Sequence, residues 1–211
     1  FRTRAPEHAY SYALAQVMTQ DLSLTTIGLI QTDVASTEAL LSFEAEMGIK
    51  PAIKIQLPNG TDLSAQVSQI AAAAPQAVAM WGPVEDAARL LNDLRSVGWT
   101  GVFAYRYADQ LAQSGLLTDA QTAGVLGVNS WSYATPTAAT RVFLRDYTIT
   151  FGKVPTALAA ASYDAVWFLR GVIGKWGATP ADIQAGLAGG SPQTLVKGTL
   201  HPLEFGNGDL A

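Results

Sequence analysis

The stretch AVAMWGPVEDAARLLNDLRSVGWTGVFAYRY, residues 77–107, contains two short apolar runs separated by an amphipathic segment. The runs AVAMW and GVFAY have the length and the continuous apolar character of buried strands. Between them, Ala87, Leu91 and Leu94 recur at helical spacing, and Gly98 ends the pattern. Two strands joined through a helix predict a right-handed βαβ unit in a parallel sheet.

The alternation of strand and helix patterns continues on both sides of this unit. Upstream, TTIGLIQTD (residues 25–33) and PAIKIQLP (residues 51–58) are predicted strands, and a helical pattern follows each of them, the first ending at Gly48. Downstream, GVLGV (residues 124–128) is predicted as a further strand. This arrangement predicts a doubly wound parallel α/β sheet that is complete by residue 130.

The chain changes character after residue 131. A helix is predicted to start at Thr135-Pro136, with Pro136 at the first helical position, and another is predicted with Thr179 as its cap. Residues 156–174 are apolar nearly all round, so this helix must be covered on most sides. The tail, residues 198–211, is predicted to form strands around a Gly-Asn-Gly turn. Either this part is a helical subdomain, or its partner sheet lies in sequence on the amino-terminal side of residue 1.

Composition excludes several classes of protein. Apolar residues make up 49% of the 211-residue chain and charged residues 14%, which is typical of an ordered globular protein. The net charge is −4 and no basic run occurs, so nucleic acid is not an expected partner. No uninterrupted apolar run reaches the length of about 18 residues that a membrane span needs. The chain opens at FRTRAPEHAY, without an initiator methionine or a visible signal peptide, and we expect a fragment or processed product.

The inventory of reactive side chains is sparse. There is no cysteine, which excludes disulfides, thiolate metal sites and a cysteine nucleophile. The two histidines, His8 and His201, have no ligand spacing around them, and no metal or other cofactor is predicted. GNGDLA, at residues 206–211, matches a nucleotide-binding fingerprint, but no helix follows it, so a hairpin turn is the better interpretation. No base or nucleophile with an oriented partner is recognisable, so an enzyme is not predicted.

Several stretches follow one another in an informative order: FRTRAPEHAYSYALAQVM, IGLIQTDVASTEALLSFEAEMGIK, QVSQIAAAAPQAVAMWGPVEDAARLLNDLRSVGW, AGVLGVNSW, ASYDAVWFLRGVI and KGTLHPLEFGNGDLA. In this order and spacing they resemble the type I periplasmic binding proteins. The resemblance is specifically to the branched-chain amino acid receptor family of ABC transporters, the Leu/Ile/Val-binding proteins. It covers essentially the whole chain and rests on the ordered set of motifs rather than on any one of them.

The resemblance implies a fold of two lobes. Residues 4–130 would form lobe two, residues 131–211 the return segment of lobe one, and residues 1–3 a crossover between the lobes. The rest of lobe one would precede residue 1, and we expect the present piece to bind ligand poorly unless that sequence is supplied.

The resemblance also implies a function. It predicts a non-enzymatic, extracytoplasmic solute-binding protein that closes on a small ligand and docks to an ABC permease. Such a protein is periplasmic or extracellular, with or without a lipid anchor. A ligand-binding sensor domain of a signalling receptor or regulator shares this fold and ligand chemistry, and it stays open as the alternative.

Ligands of open α/β sheets bind beyond the carboxyl ends of the strands. This rule selects the loops at residues 32–37, 81–85, 105–110 and 129–133, and the resemblance selects the same loops. The candidate ligand-binding residues within them are Ser36, Thr37, Trp81, Pro83, Tyr105, Arg106, Tyr107 and Trp131.

Arg106 carries the most specific prediction. Amino acid receptors of the family often have a carboxylate in this loop, whereas this chain has Arg106 and Tyr107 at that place. Because a guanidinium suits bidentate pairing with a carboxylate, we expect a carboxylated ligand without a required ammonium group, such as an aromatic or keto acid. The alternative is a solvated arginine between tyrosines that binds nothing.

The other candidates also have a structural alternative. Ser36 and Thr37 stand where the family's Tyr-Gly pair would be, and they either offer hydroxyls to a ligand or cap the following helix. Trp81 either stacks on the ligand or belongs to the core. Trp131 either walls the cleft or packs at the crossover. Asp164, within the apolar helix, is interpreted as structural and needs a partner if it is buried.

Overall fold

A computed structural model describes residues 4–189, 193–197 and 199–200 of the chain. The chain divides into two compact units, Glu7–Val128 and Phe1–Pro6 with Asn129–Ala211. The predicted assignment of residues 4–130 and 131–211 to two lobes stays a prediction. The predicted crossover at residues 1–3 and the predicted turn in the tail lie outside the described residues.

The larger unit is built on a parallel sheet. Its strand order is β2-β1-β3-β4, and all neighbouring strands are parallel. The strands are β1 Ile27–Gln31, β2 Ile53–Gln56, β3 Ala77–Trp81 and β4 Val102–Tyr105. Every residue of β1 and β3 is buried, as expected for central strands that helices cover on both faces.

The further strand predicted at residues 124–128 is reduced to a single bridge. Leu126 pairs with Ala104 beside β4, and its N–H donates to the Phe103 carbonyl at 2.8 Å. Gly124 has a φ of +77° and so turns the chain out of the extended conformation just before this bridge. Strand pairing is therefore limited to the centre of the predicted segment.

Helices connect the strands and cover both faces of the sheet. They are α1 Glu7–Gln16, α2 Thr37–Met47, α3 Ser64–Ala73, α4 Val84–Ser96, α5 Ala108–Gln113 and α6 Asp119–Thr122. Helix α1 continues into a π-helical turn, Val17–Asp21, and a 3-10 turn, Val34–Ser36, precedes α2. Gly48 ends α2 with a φ of +64°, a left-handed conformation that glycine adopts without strain. The predicted helix ends at Gly48 and near Gly98 are thus confirmed.

Two hydrophobic clusters lie on the two faces of this sheet. One joins α3 and α4 to the sheet through residues such as Ile70, Leu91 and Phe103. The other joins α1 and α2 to the opposite face through residues such as Met18 and Phe43. Three layers, helices on each side of a parallel sheet, follow from these two clusters.

The smaller unit is helical, with one short pair of strands. Its elements are α7 Ala138–Phe151, α8 Ala157–Trp176, α9 Pro180–Gly189, β5 Gln193–Thr194 and β6 Thr199–Leu200. The prediction that Pro136 is the first residue of α7 is wrong. The Thr137 side chain accepts a hydrogen bond from the Thr140 N–H and caps the helix, whose first residue is Ala138, two positions later than predicted. Thr179 caps α9 as predicted, accepting from the Asp182 N–H at 3.2 Å.

Helix α8 has two apolar faces. One face is buried and includes Ala160, Phe168 and Val172. On the other face, Val166 is 68% exposed and Trp167 is 40% exposed within the described part of the chain. None of the described helices combines the length and the hydropathy that a membrane crossing needs.

Candidate functional site

Three of the predicted ligand loops meet at one edge of the sheet in the larger unit. They follow β1, β3 and β4 at residues 32–37, 81–85 and 105–110. Gln31 is in register with Trp81, and Met80 is in register with Tyr105. The carboxyl ends of these neighbouring strands therefore bring the three loops side by side.

The loop after β1 is held together by its own polar side chains. Asp33 accepts hydrogen bonds from the Ala35 N–H at 3.0 Å and from the Ser36 hydroxyl at 3.1 Å. The Thr37 hydroxyl donates to the Val34 carbonyl at 2.7 Å. Because both hydroxyls and both backbone N–H groups donate within the loop, the hydroxyl lone pairs are what Ser36 and Thr37 can still offer to a ligand. Their ligand contact stays a prediction.

Gln31 is a residue of this edge that the sequence interpretation missed. It is buried at the end of β1, and its amide donates to the Asp33 carbonyl at 2.7 Å and to the Thr37 hydroxyl at 2.8 Å. The signal was a single amide side chain that ends the otherwise apolar run IGLIQ. A buried amide needs partners, and here those partners fix the shape of the loop.

The loop after β3 is packed closely against the loop after β1. The ring of Trp81 is buried and meets Phe43 edge-to-face, with centroids 5.1 Å apart, so it belongs to the core beneath α2. A Cβ at Gly82 would lie 2.2 Å from the Thr32 hydroxyl oxygen, so this position has no room for a side chain. Pro83 is half-buried and directly precedes α4. The ligand contacts predicted for Trp81 and Pro83 stay predictions.

Arg106, at the end of β4, is buried between two aromatic rings. Its guanidinium carbon lies 3.9 Å from the ring centroid of Tyr10 and 4.2 Å from that of Tyr107. Its Nε lies 2.7 Å from Glu7 Oε2. The rings that contact Arg106 are therefore those of Tyr10 and Tyr107 rather than those of Tyr105 and Tyr107. The alternative of a solvated arginine is wrong, because Arg106 is only 7% exposed.

The hydrogen-bonding capacity of Arg106 is not used up. The Glu7 carboxylate already occupies the Nε edge of the guanidinium at 2.7 Å, with an angle outside hydrogen-bonding geometry, so the terminal nitrogens are the ones left for a further acceptor. Buried donors are nearly always satisfied in native proteins, and an unsatisfied one marks a place where an acceptor is missing. Arg106 thus combines a neutralised charge with N–H groups that can still donate.

Tyr105 ties two of the loops together. Its hydroxyl donates to the Gly82 carbonyl at 2.9 Å, and its ring belongs to the core. Burial, followed by the neighbouring Tyr107 and Glu85, raises the pKa of the Tyr105 phenol. The phenol therefore stays protonated and keeps this donor role at all pH values at which proteins ordinarily work. Its predicted ligand contact remains untested.

Trp131 belongs to the smaller unit. Its indole N–H donates to the Thr140 hydroxyl at 3.2 Å, and its ring meets Phe143 edge-to-face at 5.7 Å. This arrangement is packing within that unit, and a ligand contact from Trp131 stays a prediction.

A cavity of about 390 Å³ lies at the opposite edge of the sheet. It is lined by residues that precede β3 and β4, among them Pro75, Gln76 and Trp99. In the described part of the chain, no group of three or more His, Asp or Glu side chains could hold a metal ion.

The larger unit is thus a parallel sheet with helices on both faces and polar loops at the carboxyl ends of its strands, the place at which ligands bind in open α/β sheets. The sequence pattern of the periplasmic binding proteins matches residues 1–204, and the chain belongs to that family. No curated protein matches the sequence.

Solved structures show the same fold. One is a solute-binding protein of an ABC transporter from R. palustris in complex with benzoate, with a TM-score of 0.83 and 14% identity over 95% of this chain and 57% of that one. Another is the branched-chain amino acid binding protein LivJ of Streptococcus pneumoniae in complex with isoleucine. It has a TM-score of 0.81 and 17% identity over 93% of this chain and 57% of that one. A leucine-binding protein of Thermotoga maritima has a TM-score of 0.77 and 21% identity over 94% of this chain and 59% of that one.

These likenesses show the type I periplasmic binding protein fold that the sequence predicted. The chain spans 57% to 59% of the length of these solved structures.

Proposed function

We propose that this chain is the ligand-binding part of an exported solute receptor for an ABC transporter, and that it is not an enzyme. Its ligand is a small carboxylated molecule: an amino acid, a keto acid or an aromatic acid. The ligand lies in a cleft bordered by the loops that follow β1, β3 and β4. Family membership and the solved relatives that hold benzoate or isoleucine support this class of function.

The observation that carries the proposal is the state of Arg106. A guanidinium that is only 7% exposed is costly to bury unless its N–H groups find acceptors, and the contact with Glu7 is at Nε alone of its three nitrogens. A carboxylate is the group whose geometry matches a guanidinium edge. With both faces of the guanidinium covered by Tyr10 and Tyr107, an acceptor approaches in the plane of the group.

The surrounding contacts hold Arg106 in place before a ligand arrives. The two rings and the Glu7 carboxylate restrict its side chain, so little rotamer freedom remains to be lost on binding. Preorganisation of this kind raises affinity because ordering an interfacial side chain otherwise costs about 0.5–1.5 kcal/mol. The hydrogen bond from Tyr105 to Gly82 fixes the neighbouring loop in the same way.

The wider role follows from the family. The receptor would act outside the cytoplasm, in the periplasm or at the cell surface, and its ligand-bound form would dock to the permease of its transporter. Closing on the ligand would be a hinge motion at the segments that link the two units.

The direct test is a thermal-shift screen of the protein expressed from its complete gene. The probes are benzoate, leucine and 4-methyl-2-oxopentanoate, with benzamide as the uncharged counterpart of benzoate. At least one carboxylate should raise the melting temperature, because a ligand at 100 times its Kd stabilises the folded state by about 2.7 kcal/mol.

Arg106→Lys should abolish most of this response. Losing a charge-assisted hydrogen bond costs about 1.5–3 kcal/mol, which corresponds to an affinity loss of roughly 10- to 100-fold. Arg89→Lys is the matched control, since Arg89 is an exposed arginine on α4 that pairs with Asp86. No response to any carboxylate, or an equal response in R106K and the wild type, would refute the proposal. Turnover of a probe would point to an enzyme.

A further inference from the structure

The charge of Arg106 is already balanced by Glu7 before any ligand is present. We propose that Glu7 is a positioning residue that sets the ligand selectivity of the site. It balances the charge of Arg106 from the Nε edge and leaves the terminal nitrogens of the guanidinium to donate, so the site discriminates weakly between a carboxylate and its neutral counterpart. This inference rests on the proposed function and concerns the same site.

Two contacts fix Glu7 against Arg106 and its neighbour. It is the first residue of α1, and Oε2 lies 2.7 Å from Arg106 Nε. Its other oxygen, Oε1, accepts a hydrogen bond from the Tyr107 hydroxyl at 3.3 Å. Tyr107 also stacks on the guanidinium, so one tyrosine fixes both members of the ion pair.

The rest of the edge reinforces this electrostatic setting. The three loops contain the acids Asp33, Glu85 and Asp109, and Arg106 is the one lysine or arginine in them. An incoming anion therefore meets a neutralised arginine in a region where acids predominate. A buried or partly buried charge acts strongly over a few ångströms, so removal of the Glu7 charge should change anion binding far more than neutral binding.

The test compares benzoate and benzamide, which have nearly the same shape and differ in charge. Glu7→Gln keeps the side chain's length and its capacity to accept from Tyr107, and it removes the negative charge. In the protein expressed from its complete gene, E7Q should raise the ratio of benzoate to benzamide affinity about tenfold, equivalent to about 1.4 kcal/mol. A purely structural role for Glu7 would leave this ratio unchanged.

Glu38→Gln is the control for the charge change. Glu38 is an acid in the first turn of α2 whose side chain is 84% exposed, and it lies 4.0 Å from His8 Nδ1 rather than beside Arg106. E38Q should leave the affinity ratio within about twofold of the wild type, because an exposed charge is screened by solvent and salt. An E7Q variant that weakens both probes equally, or leaves their ratio unchanged, overturns the inference.

A second measurement does not depend on ligand. Thermal unfolding of E7Q, Arg106→Gln and the double variant should be non-additive, with the double variant losing less in Tm than the two single losses together. Additive losses would show that the two residues are not coupled and would overturn the inference.

The two proposals fail in different ways. A wild-type protein that responds to no carboxylate refutes the proposed function. That result also overturns the inference about Glu7, which rests on the same site, whereas a wild-type protein that binds benzoate with an affinity ratio that E7Q leaves unchanged overturns the inference alone.

Discussion

Asp164 is a buried carboxylate in the middle of the apolar helix α8. Its oxygens accept hydrogen bonds from the backbone N–H groups of Val196 at 3.0 Å and Lys197 at 2.9 Å. Burial raises the pKa of Asp164, against the opposing effect of these two hydrogen bonds. The residue therefore fastens the segment after β5 to α8, which is the structural role that the sequence interpretation assigned to it.

Asp164→Asn should destabilise the protein. The asparagine side chain has one acceptor oxygen, so one buried N–H loses its partner at a cost of about 1–3 kcal/mol. Urea unfolding measures the effect, with Asp146→Asn on the exposed side of α7 as the control. A D164N variant as stable as D146N would contradict this role.

Gly82 shows how closely two of the candidate loops approach each other. A Cβ at this position would overlap the Thr32 hydroxyl oxygen, which is buried without a hydrogen-bond partner among the described residues. The absence of a side chain at Gly82 therefore lets the loops after β1 and β3 pack together.

Gly82→Ala should cost about 1–3 kcal/mol, the usual range for overpacking a buried site. Thr32→Ala in the same chain should restore part of the loss, because it removes the oxygen that the new methyl group meets. Gly174→Ala is a contrasting control, since a Cβ there meets no atom within 4 Å and alanine favours helix. Additive effects of G82A and T32A on the unfolding free energy would contradict the packing account.

At the scale of elements, α8 is the helix with the most unusual surface. Its buried face packs within the smaller unit, to which α8 belongs. On its other face, Val166, Trp167 and Ile173 are exposed in the described part of the chain. Contiguous exposed apolar surface of this kind marks a face that another element or partner covers. The sequence left two alternatives for this part of the chain: a helical subdomain, or helices whose partner sheet lies in sequence before residue 1. The two alternatives make different predictions for the exposed face of α8.

Substitutions on the two faces of α8 should behave differently in the 211-residue chain. Phe168→Ala should cost about 3–5 kcal/mol of unfolding free energy, because it leaves a cavity in the core. Val166→Lys should change stability by less than about 0.5 kcal/mol and should reduce aggregation at high concentration. A large destabilisation by V166K in this chain would show that the face is covered within it.

Most of the larger unit could be predicted because its signals are local. Short apolar runs and helical periodicity depend on neighbouring residues, and the left-handed end of α2 at Gly48 depends on one glycine. The start of α7 was misplaced by two residues, because Pro136 and Thr137 both favour a helix start and the hydroxyl of Thr137 makes the capping hydrogen bond. The contact of Arg106 with Tyr107 was predicted, whereas its contact with Glu7 could not be, because Glu7 and Tyr107 are 100 positions apart in sequence.

At the scale of the whole molecule, the 211 residues match little more than half of each solved relative. The sequence interpretation expects the rest of lobe one to complete the binding site. Isothermal titration should therefore find weaker benzoate or leucine binding by residues 1–211 alone than by the protein expressed from its complete gene. Tight and equal binding by both would contradict this expectation.

The central claim is that the loops at the carboxyl ends of the strands bind a carboxylate through Arg106. The most direct measurement is a crystal structure of the protein expressed from its complete gene, grown with the carboxylate that gives the largest thermal shift. We predict the ligand's carboxylate oxygens within about 3.2 Å of the Arg106 guanidinium nitrogens. A ligand bound elsewhere, with no contact to Arg106, would contradict the account.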